Sequence, residues 1–431
     1  MITSLAWKDK KFAVLGLARS GRATVEALLA AGADVLVWDD RAEAREPYDG
    51  RCAIGDPLEA DLTGYANVVV SPGVPLNTHP IKPHAGSFGV PVIGDIELFA
   101  QARKELPPHK VIGITGTNGK STTTALVHHI LKTADVPTTM GGNIGLPILE
   151  QEPLPEGGVY VLELSSYQID LTYSLDCDVA VLLNIAPDHL DRYDGDFSKY
   201  AASKSRLLAM QTRGHNSIAR FTDARVLGKF AEGSIASILE DVFDNRGIER
   251  SEQSAWPSLQ GPHNRENAAA AIETCDILGI SISQIRSGLK SYAGLPHRME
   301  RVAEIASVAY VNDSKGTNTA ASAPALAAFD NIHWILGGLA KEPGLGECEA
   351  EIPRVKAAYT IGKAGPDFAK ALEGRVPVDQ CETLDRAVAS AAANAEPGDT
   401  ILLSPACASF DQYSDFEKRG EHFRELVEAL K

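Results

Sequence analysis

Short apolar runs that suit buried strands alternate along the chain with segments of helical periodicity. Near the amino end, "KKFAVLGL" and "ADVLVWDD" flank the helical pattern of "RATVEALLAAG". Val25, Leu28 and Leu29 share one face of that helix, and Gly32 is its predicted carboxyl-terminal cap. A further strand, "NVVVSPGVP", ends at Ser71. This alternation predicts an α/β fold built on parallel sheets.

The same alternation continues through two more stretches of the chain. The strands "KVIGITG", "VYVLELSS" and "CDVAVLLNIAPDH" precede the helices "DFSKYAASKSRLLAM" and "NRENAAAAIETCDILG". The strands "SVAYVNDSK", "HWILGG", "AAYTIG" and "TILLSPA" alternate with alanine-rich helices. We interpret the charged, proline-containing residues 101–110 as a first linker and residues 293–302 as a second boundary. The prediction is three consecutive domains, at residues 1–100, 101–294 and 295–431.

Composition narrows the class of protein. A chain of 431 residues is too long for one hydrophobic core. The net charge of −16 argues against a nucleic-acid surface. The six cysteines contain no C-x-x-C pattern, which indicates reduced thiols in a cytoplasmic protein. We expect no signal peptide, because the apolar run near the amino end is brief and turns into a loop with Arg19. We expect no membrane span, because no apolar stretch reaches about 18 residues.

The strongest chemical signal is "GITGTNGKSTTT", which lies between a predicted strand and a predicted helix. It has the pattern G-x-x-G-K-S from Gly116, shorter than the usual phosphate loop G-x-x-x-x-G-K-[ST]. Backbone N–H groups of residues 116–121 and the helix amino terminus would face an anion. Lys120 can reach terminal phosphates, and Ser121 or Thr122 can bind Mg²⁺. The alternative is a glycine-rich turn without a ligand.

The shortened loop "GTNGKST" resembles the ATP site of the Mur ligases and of the related folylpolyglutamate synthetases. Those enzymes phosphorylate a carboxylate with ATP and couple the acyl phosphate to an amine. The resemblance implies ATP contacts from Gly116, Thr117, Asn118, Gly119, Lys120, Ser121 and Thr122.

Two residues after the loop match positions that this family associates with metal. Glu163 lies near the end of "VLELSSYQ", and His189 follows the next strand in "NIAPDHLDRY". Taken alone, each would be an ordinary solvated or loop residue. Their order after the phosphate loop favours the family assignment, and oxygen-rich ligands suit Mg²⁺.

The resemblance also assigns a lysine that CO₂ carbamylates, here Lys204, whose new anionic group supports Mg²⁺. Carbamylation needs a neutral amine, so burial or neighbouring cations must lower the pKa of this lysine. The residue pattern alone predicts an exposed lysine. The implied catalytic residues are Lys120, Glu163, His189 and Lys204, and the implied metal ligands are Ser121, Glu163, His189 and carbamylated Lys204.

Further nucleotide contacts are implied in the later part of the chain. Asn264 and Asn267, in "GPHNRENAAAA", match positions at the adenine and phosphates, although Asn264 would also suit a helix cap. Arg298 and Asp313 match residues of the third domain that reach ATP as the enzyme closes. Such closure would exclude water from the acyl phosphate.

The first domain contains G-x-A-x-x-G at Gly16, Ala18 and Gly21, and Asp39 follows Gly21 by 18 residues. Alone this is a weak dinucleotide signal. Together with the phosphate loop it resembles the uridine-diphosphate-binding domain of Mur ligases. The implied contacts to the UDP substrate are Ser20, Asp40, Arg41, Ser71, Asn143 (in "GGNIGLP") and His189.

The carboxyl end, "LLSPACASFDQYSDFEKRGEHF", resembles the Mur ligases that add D-glutamate to UDP-N-acetylmuramoyl-L-alanine. A small dicarboxylate needs a cation and hydrogen-bond donors. "GGLAKEPG" matches the family's lysine segment loosely, and no "DNPR" motif for a basic diamino acid is present. The implied D-glutamate contacts are Thr317, Lys341, Ser409 and Phe416.

The expected function is therefore a cytoplasmic, monomeric ligase that uses ATP and Mg²⁺ in peptidoglycan precursor synthesis. Three alternatives stay open. A sibling Mur ligase would add another amino acid. A folylpolyglutamate-type ligase is disfavoured because it lacks a domain like residues 1–100. A non-enzymatic phosphate-loop module would bind ATP without turnover.

Overall fold

A computed structural model of the chain describes residues 1–219, 235–238 and 247–431. The described chain divides into two compact units, residues 1–247 with 269–288, and residues 248–268 with 289–431. Two sheets belong to the first unit and a third sheet to the second. All three carry helices in the alternating order that the sequence predicts, so the α/β fold class is confirmed.

The first sheet has five parallel strands in the order β3-β2-β1-β4-β5. Its central strands are apolar because both faces are covered. Gly32, after the first helix, has φ of +80° and so ends that helix as predicted. The strands are β1 (Lys11–Leu15), β2 (Asp34–Trp38), β3 (Ala53–Ile54), β4 (Tyr65–Val70) and β5 (Val92–Ile93). The helices are Arg19–Ala30, Ala42–Arg45, Ile81–Ser87 and Asp95–Ala102.

The second sheet has six parallel strands in the order β11-β10-β9-β6-β8-β7 among the described residues. Its centre is β6, which leads into the phosphate loop. The strands are β6 (His109–Thr115), β7 (Thr138–Gly142), β8 (Gly158–Glu163), β9 (Val179–Leu182), β10 (Asn216–Ala219) and β11 (Ile235–Ile238). The helices in this part of the chain are Lys120–Thr133, Ser166–Asp170, Phe197–Ala209, Pro262–Ile277 and Ile282–Ser291.

The third sheet has the strand order β12-β13-β17-β14-β15-β16. Its edge strand β12 pairs antiparallel with β13, and the other pairs are parallel. The strands are β12 (Glu300–Ile305), β13 (Val308–Asn312), β14 (Ile332–Gly337), β15 (Val355–Ile361), β16 (Val378–Glu382) and β17 (Thr400–Leu403). The helices are Thr319–Leu326, Gly365–Leu372, Leu384–Asn394 and Phe416–Glu428.

The predicted first linker is more ordered than expected. Residues 101–102 complete the helix Asp95–Ala102, and a 3₁₀ turn follows at Arg103–Glu105. Strand β6 begins at His109, so irregular chain is confined to residues 106–108. The two prolines therefore separate a helix from a strand and do not mark a long linker.

The buried apolar side chains of the first unit form a cluster that runs from the first sheet to the second. Phe12 and Val37 from the first sheet belong to the same cluster as Tyr160 and Leu162 from the second. This continuous packing fixes the loops at the strand ends of both sheets relative to one another. In the part of the chain that the structure describes, no helix is both long and apolar enough to cross a bilayer.

Candidate active site

The phosphate loop lies where the sequence places it, between β6 and the helix Lys120–Thr133. Gly116 has φ of +154° and Gly119 has φ of +83°, conformations that favour glycine. A Cβ atom on Gly116 would lie 3.0 Å from Cβ of Leu183. The loop therefore passes close to the segment that follows β9, and the helix amino terminus behind it offers N–H groups to an anion.

The loop is held in place by the segment that follows β9. The backbone N–H of Thr117 donates to the carbonyl of Asn184 at 3.0 Å, and the Thr117 hydroxyl donates to the carbonyl of Ala186 at 3.1 Å. The Asn184 side chain accepts from the Asn118 N–H at 2.8 Å. Lys120 Nζ donates to the Thr117 carbonyl at 2.8 Å. These contacts form the anion cradle before a ligand arrives.

Glu163 lies at the end of β8, and its side chain is 1% exposed. Asn143 Nδ2 donates to Glu163 Oε1 at 2.9 Å, and the Asn143 N–H donates to the Glu163 carbonyl at 2.9 Å. Glu163 Oε2 is buried without a hydrogen-bond partner among the described residues. A buried carboxylate oxygen in this state is costly unless a cation or donor joins it. Glu163 therefore fits a Mg²⁺ ligand.

The last residue of β7 must be glycine. Gly142 has φ of +87°, and a Cβ there would lie 2.2 Å from the Glu163 carbonyl oxygen. The backbone of β7 can approach Glu163 only because this side chain is absent. Gly142 thus sets the distance at which Asn143 reaches the carboxylate.

Lys204 corrects the expectation of an exposed side chain, because it is only 2% exposed. Its Nζ donates to the carbonyl of Gly116 at 2.8 Å and lies 4.7 Å from the centre of the Tyr200 ring. Burial, and next the charge of Lys120, lower the pKa of Lys204 to about 7. The amine is therefore substantially neutral near neutral pH, which carbamylation requires.

His189 occupies a different kind of position. It is exposed, has φ of +51°, and lies 3.4 Å from a carboxylate oxygen of Asp188 and 5.4 Å, ring to ring, from Tyr167. Among the residues described, no three Asp, Glu, His or Cys side chains form a cluster that could hold a metal ion. Any metal there would need Ser121, the carbamate or substrate oxygens in addition to Glu163 and His189.

The first sheet builds a tight loop around its G-x-A-x-x-G pattern. A Cβ on Gly21 would lie 1.9 Å from the Gly16 carbonyl, and the buried Ser71 donates from Oγ to that carbonyl at 2.7 Å. Ser20 is half-buried beside this loop, whereas Asp40 and Arg41 are exposed. Four of the predicted UDP contacts thus follow strands of the first sheet, at the edge where ligands of parallel sheets bind, whereas Asn143 and His189 belong to the second sheet.

Asp39 organises this edge and is not available as a ribose ligand. Its Oδ2 accepts from the Leu17 N–H at 2.7 Å, and its Oδ1 accepts from the Arg41 N–H at 3.1 Å. The Arg41 side chain also donates to Oδ1, at 3.1 Å. These bonds disfavour the dinucleotide interpretation of the pattern.

The second unit carries the other predicted nucleotide residues. The helix Pro262–Ile277 begins before Asn264, so the capping interpretation of Asn264 is wrong. Asn264 Nδ2 instead donates to the Gln260 carbonyl at 3.1 Å, and its Oδ1 accepts from Asn267 Nδ2 at 3.1 Å. Both amides are buried, so each holds the orientation of the other.

Asp313 is buried directly after β13. The positive charge of Arg298 acts to lower the pKa of Asp313, but less strongly than burial raises it. Ser404 donates from Oγ to Asp313 Oδ2 at 2.7 Å, and the Met299 N–H donates to Oδ1 at 3.2 Å. Burial raises the pKa of Asp313 to about 7. The group is therefore poised between its neutral and charged forms near neutral pH.

Thr317, Lys341 and Ser409, three of the predicted D-glutamate residues, lie on loops that follow strands of the third sheet, and Phe416 begins the helix Phe416–Glu428. Ser409 is buried, Thr317 and Phe416 are half-buried, and Lys341 is exposed. Two charged side chains that were not assigned to D-glutamate lie among them. Lys315 Nζ is 3.7 Å from the centre of the Phe416 ring. Arg419 is 1% exposed and donates to Ser314 Oγ at 3.0 Å.

Arg419 is the most marked omission of the sequence prediction for this region. Its Nη1 is buried with no hydrogen-bond partner among the residues described. Burial lowers the pKa of its guanidinium to about 10. The helical pattern of "FEKRGEHFRELVE" does not reveal this burial, since three other charged residues of that pattern, Glu417, Lys418 and Glu425, are exposed.

Comparison with known proteins assigns three successive parts of the chain to one family. Three family models match in succession: the MurD-like amino-terminal domain of Mur ligases at residues 10–94, the Mur ligase middle domain at 114–275, and the glutamate ligase domain at 297–407.

Curated relatives match over the whole chain. A protein named UDP-N-acetylmuramoylalanine--D-glutamate ligase from Novosphingobium aromaticivorans is 61% identical over 100% of this chain and 97% of its own length. Proteins of the same name from Sphingopyxis alaskensis and Zymomonas mobilis are 57% and 52% identical, each over the full length of both chains.

Solved structures share the fold at low sequence identity. The MurF ligase from Thermotoga maritima, in complex with ADP, aligns with a TM-score of 0.59 and 15% identity over 99% of this chain and 97% of its own. The UDP-N-acetylmuramate-alanine ligase MurC from the same organism aligns with a TM-score of 0.56 and 17% identity over 98% and 100%. The chain therefore belongs to the Mur ligase family and, within it, to the group of UDP-N-acetylmuramoylalanine--D-glutamate ligases.

Proposed function

We propose that this protein joins D-glutamate to UDP-N-acetylmuramoyl-L-alanine at the expense of ATP, through an acyl phosphate. The observation that carries the choice of amino acid is the full-length identity of 52–61% to relatives named for that reaction. The geometry of the first unit supports the chemistry, because a phosphate cradle, a buried carboxylate and a buried lysine meet in it.

In the first step an oxygen of the L-alanyl carboxylate attacks the γ-phosphorus of ATP, and ADP leaves. The backbone N–H groups after Gly116 and the Lys120 ammonium bind the phosphate oxygens as negative charge shifts toward ADP. Lys120 exchanges its contact with the Thr117 carbonyl for the phosphates. Because the loop is already ordered, little further conformational entropy is lost when these donors bind the phosphates.

Glu163, Ser121 and His189 are the residues that would hold Mg²⁺, with Glu163 Oε2 as the anionic oxygen that lacks a partner among the described residues. Mg²⁺ bound there supplies positive charge that offsets the charge of the transferring phosphoryl group. A carbamate on Lys204 would add a further anionic oxygen beside the Gly116 carbonyl. His189, on its exposed loop, would orient the substrate carboxylate.

In the second step the neutral amine of D-glutamate attacks the acyl carbon, and phosphate leaves from a tetrahedral intermediate. Thr317, Lys341, Ser409 and Phe416 are assigned to D-glutamate by the family resemblance. Asn264, Asn267, Arg298 and Asp313 are assigned to the nucleotide on the same ground. Ser20, Asp40, Arg41, Ser71 and Asn143 are assigned to the UDP substrate.

The proposal includes a monomeric, cytoplasmic enzyme with domains at residues 1–100, 101–294 and 295–431. All six cysteines are free thiols, which suits a reducing compartment. The matched family models, at residues 10–94, 114–275 and 297–407, each fall within one of the proposed domains.

The direct test follows phosphate release from Mg-ATP by the purified protein with UDP-N-acetylmuramoyl-L-alanine and single amino acids. Turnover is expected with D-glutamate and not with L-glutamate, L-alanine or a diamino acid. A Lys120→Met variant controls for contaminating ATPases. Turnover only with another amino acid would reassign the chain within the family, and ATP binding without any turnover would indicate a non-enzymatic module.

A further inference from the structure

Arg192 joins the loop that carries His189 to the loop that follows β4. It lies in the 3₁₀ turn Leu190–Tyr193, three residues after His189. Its Nη1 donates to the carbonyl of Val74 at 2.9 Å, and its Nη2 donates to the carbonyl of Gly73 at 2.8 Å. A longer contact of 3.4 Å reaches the carbonyl of Pro72. One guanidinium thus binds three successive carbonyl groups of another sheet's loop.

Neighbouring contacts hold this guanidinium and its turn in one orientation. The carbon of the guanidinium lies 4.4 Å from the centre of the Tyr167 ring, the same ring that approaches His189. Asn77 Nδ2 donates to the Asp191 carbonyl at 2.9 Å, so a second bond joins the two loops in parallel. The hydroxyl of the buried Tyr193 donates to Asp170 at 2.9 Å and anchors the end of the turn.

The two loops serve different parts of the proposed substrate. Ser71, which donates a hydrogen bond to the Gly16 carbonyl, begins the loop whose carbonyl groups accept hydrogen bonds from Arg192. His189 and the phosphate loop serve the carboxyl end, where phosphoryl transfer occurs. The separation of these two loops must match the length of a sugar nucleotide whose diphosphate and carboxylate are bound simultaneously.

We propose that Arg192 is a positioning residue that sets this separation, and so makes UDP-N-acetylmuramoyl-L-alanine bind as one rigid span between the two loops. The inference rests on the proposed function, since it assumes that substrate. Arginine is required because its planar fork donates to several carbonyls at once and stacks on a ring, which lysine cannot reproduce.

The inference predicts a difference between a ligand that spans both loops and one that touches a single loop. In Arg192→Ala, the dissociation constant of UDP-N-acetylmuramoyl-L-alanine should rise about tenfold or more, the loss expected for charge-assisted hydrogen bonds. The dissociation constant of UDP should change by less than about twofold. The KM for ATP should also stay unchanged, because Arg192 does not touch the phosphate loop.

Arg206→Ala is the matched control. Arg206 also donates to a backbone carbonyl, that of Thr172 at 2.8 Å, and lies 5.4 Å from a tyrosine ring, that of Tyr173. Arg206 Nη1 also lies 3.8 Å from Oδ1 of Asp170, whereas Tyr193 donates to the other oxygen, Oδ2. All three contacts of Arg206 stay within the middle part of the chain, so neither ligand should bind more weakly. Arg192→Lys tests whether the planar guanidinium is needed, because lysine keeps the charge but not the arrangement of donors. It should also bind UDP-N-acetylmuramoyl-L-alanine more weakly but UDP unchanged, and it serves as the test if Arg192→Ala folds poorly.

Isothermal titration calorimetry measures the dissociation constants of UDP and of UDP-N-acetylmuramoyl-L-alanine, the whole substrate, for wild type and each variant. The turnover of each protein is measured alongside. A selective loss for the whole substrate, partly restored to Arg192→Ala by added guanidinium ion, supports the inference. Equal losses for both ligands, or none, overturn it while wild-type turnover leaves the proposed function standing. A wild-type protein that neither binds nor turns over the substrate would instead overturn the proposed function.

Discussion

Asn143 holds Glu163 by two hydrogen bonds, one from its side-chain amide to the carboxylate and one from its backbone N–H to the carbonyl, each 2.9 Å long. The pair leaves Glu163 Oε2 buried and without a partner among the residues that the structure describes. Because the protein maintains this costly oxygen beside its phosphate loop, we interpret the pair as a preformed half of a Mg²⁺ site.

Replacing this carboxylate tests that interpretation. Glu163→Gln should lower kcat about 100-fold, since it removes the anionic ligand but keeps the shape of the side chain. The Mg²⁺ concentration needed for half-maximal rate should rise as well. Phosphate release measured across a Mg²⁺ titration provides both values.

Glu156→Gln, at an exposed position in the loop before the same strand, is the control and should leave the titration unchanged. If Glu163→Gln retained wild-type turnover at the same Mg²⁺ concentration, Glu163 would not be a metal ligand.

Lys204 should take up CO₂ in a pH-dependent manner. The pKa of about 7 means that the ammonium form, which cannot react with CO₂, predominates below that pH and the amine predominates above it. Carbamylation should therefore increase as pH rises from about 6 to about 8. Carbon-13 NMR of the protein in labelled bicarbonate reports the carbamate directly.

Lys199→Met is the matched control for Lys204→Met, because Lys199 lies on the same helix but is exposed and paired with Asp194 at 2.7 Å. The carbamate signal should survive in the first variant and vanish in the second. An active enzyme without such a signal above pH 7 would contradict the assignment.

Two glycines with similar backbone angles should respond differently to alanine. Gly142 and Gly157 have φ of +87° and +80°, but only Gly142 faces a close neighbour, the Glu163 carbonyl. Gly157→Ala should lower the unfolding free energy by about 1 kcal/mol, because alanine is less stable than glycine in the left-handed backbone conformation. Gly142→Ala should cost more and should also reduce activity, because Asn143 and Glu163 must separate.

Thermal unfolding and turnover of the two variants provide the comparison. Equal stability losses in both variants, with full activity in each, would show that the close approach at Gly142 has no role in placing Glu163.

The stability of the chain should also depend on Asp313. Its pKa is raised to about 7 by burial, so between pH 4 and 7 the folded protein retains a proton that the unfolded chain has released. This contribution to the unfolding free energy therefore falls as pH rises through that window, at no more than about 1.4 kcal/mol per pH unit. Asp313→Asn should remove that dependence.

Calorimetric melting temperatures at several pH values test this prediction. The melting temperature of Asp313→Asn relative to wild type should increase from about pH 4 to about pH 7. Asp367→Asn, at an exposed carboxylate in the same unit, should show no such trend. A constant difference between Asp313→Asn and wild type would mean that Asp313 is charged throughout.

The sequence predicted the features that depend on local chain. The strand before Gly116, the helix after Lys120 and the cap at Gly32 all follow from short patterns, and the structure confirms them. The position of Glu163 near the end of a strand was also predicted, and Glu163 ends β8, whereas its hydrogen bond from Asn143 was not predicted.

The features that the sequence did not predict depend on contacts between distant segments. Lys204 is buried, and its Nζ donates to the Gly116 carbonyl, 88 residues away. Arg192 reaches carbonyls about 120 residues earlier, and Arg419 reaches Ser314 across 105 residues. Asn264 failed as a cap because its helix begins at Pro262. No short-range pattern encodes these pairings.

Transfer of oxygen from substrate to phosphate tests the central claim most directly, namely that ATP activates the L-alanyl carboxylate. UDP-N-acetylmuramoyl-L-alanine labelled with oxygen-18 in that carboxylate is turned over with Mg-ATP and D-glutamate, and the released phosphate is analysed by phosphorus-31 NMR. The account predicts one labelled oxygen in each phosphate. Unlabelled phosphate, released in step with amide formation, would contradict it.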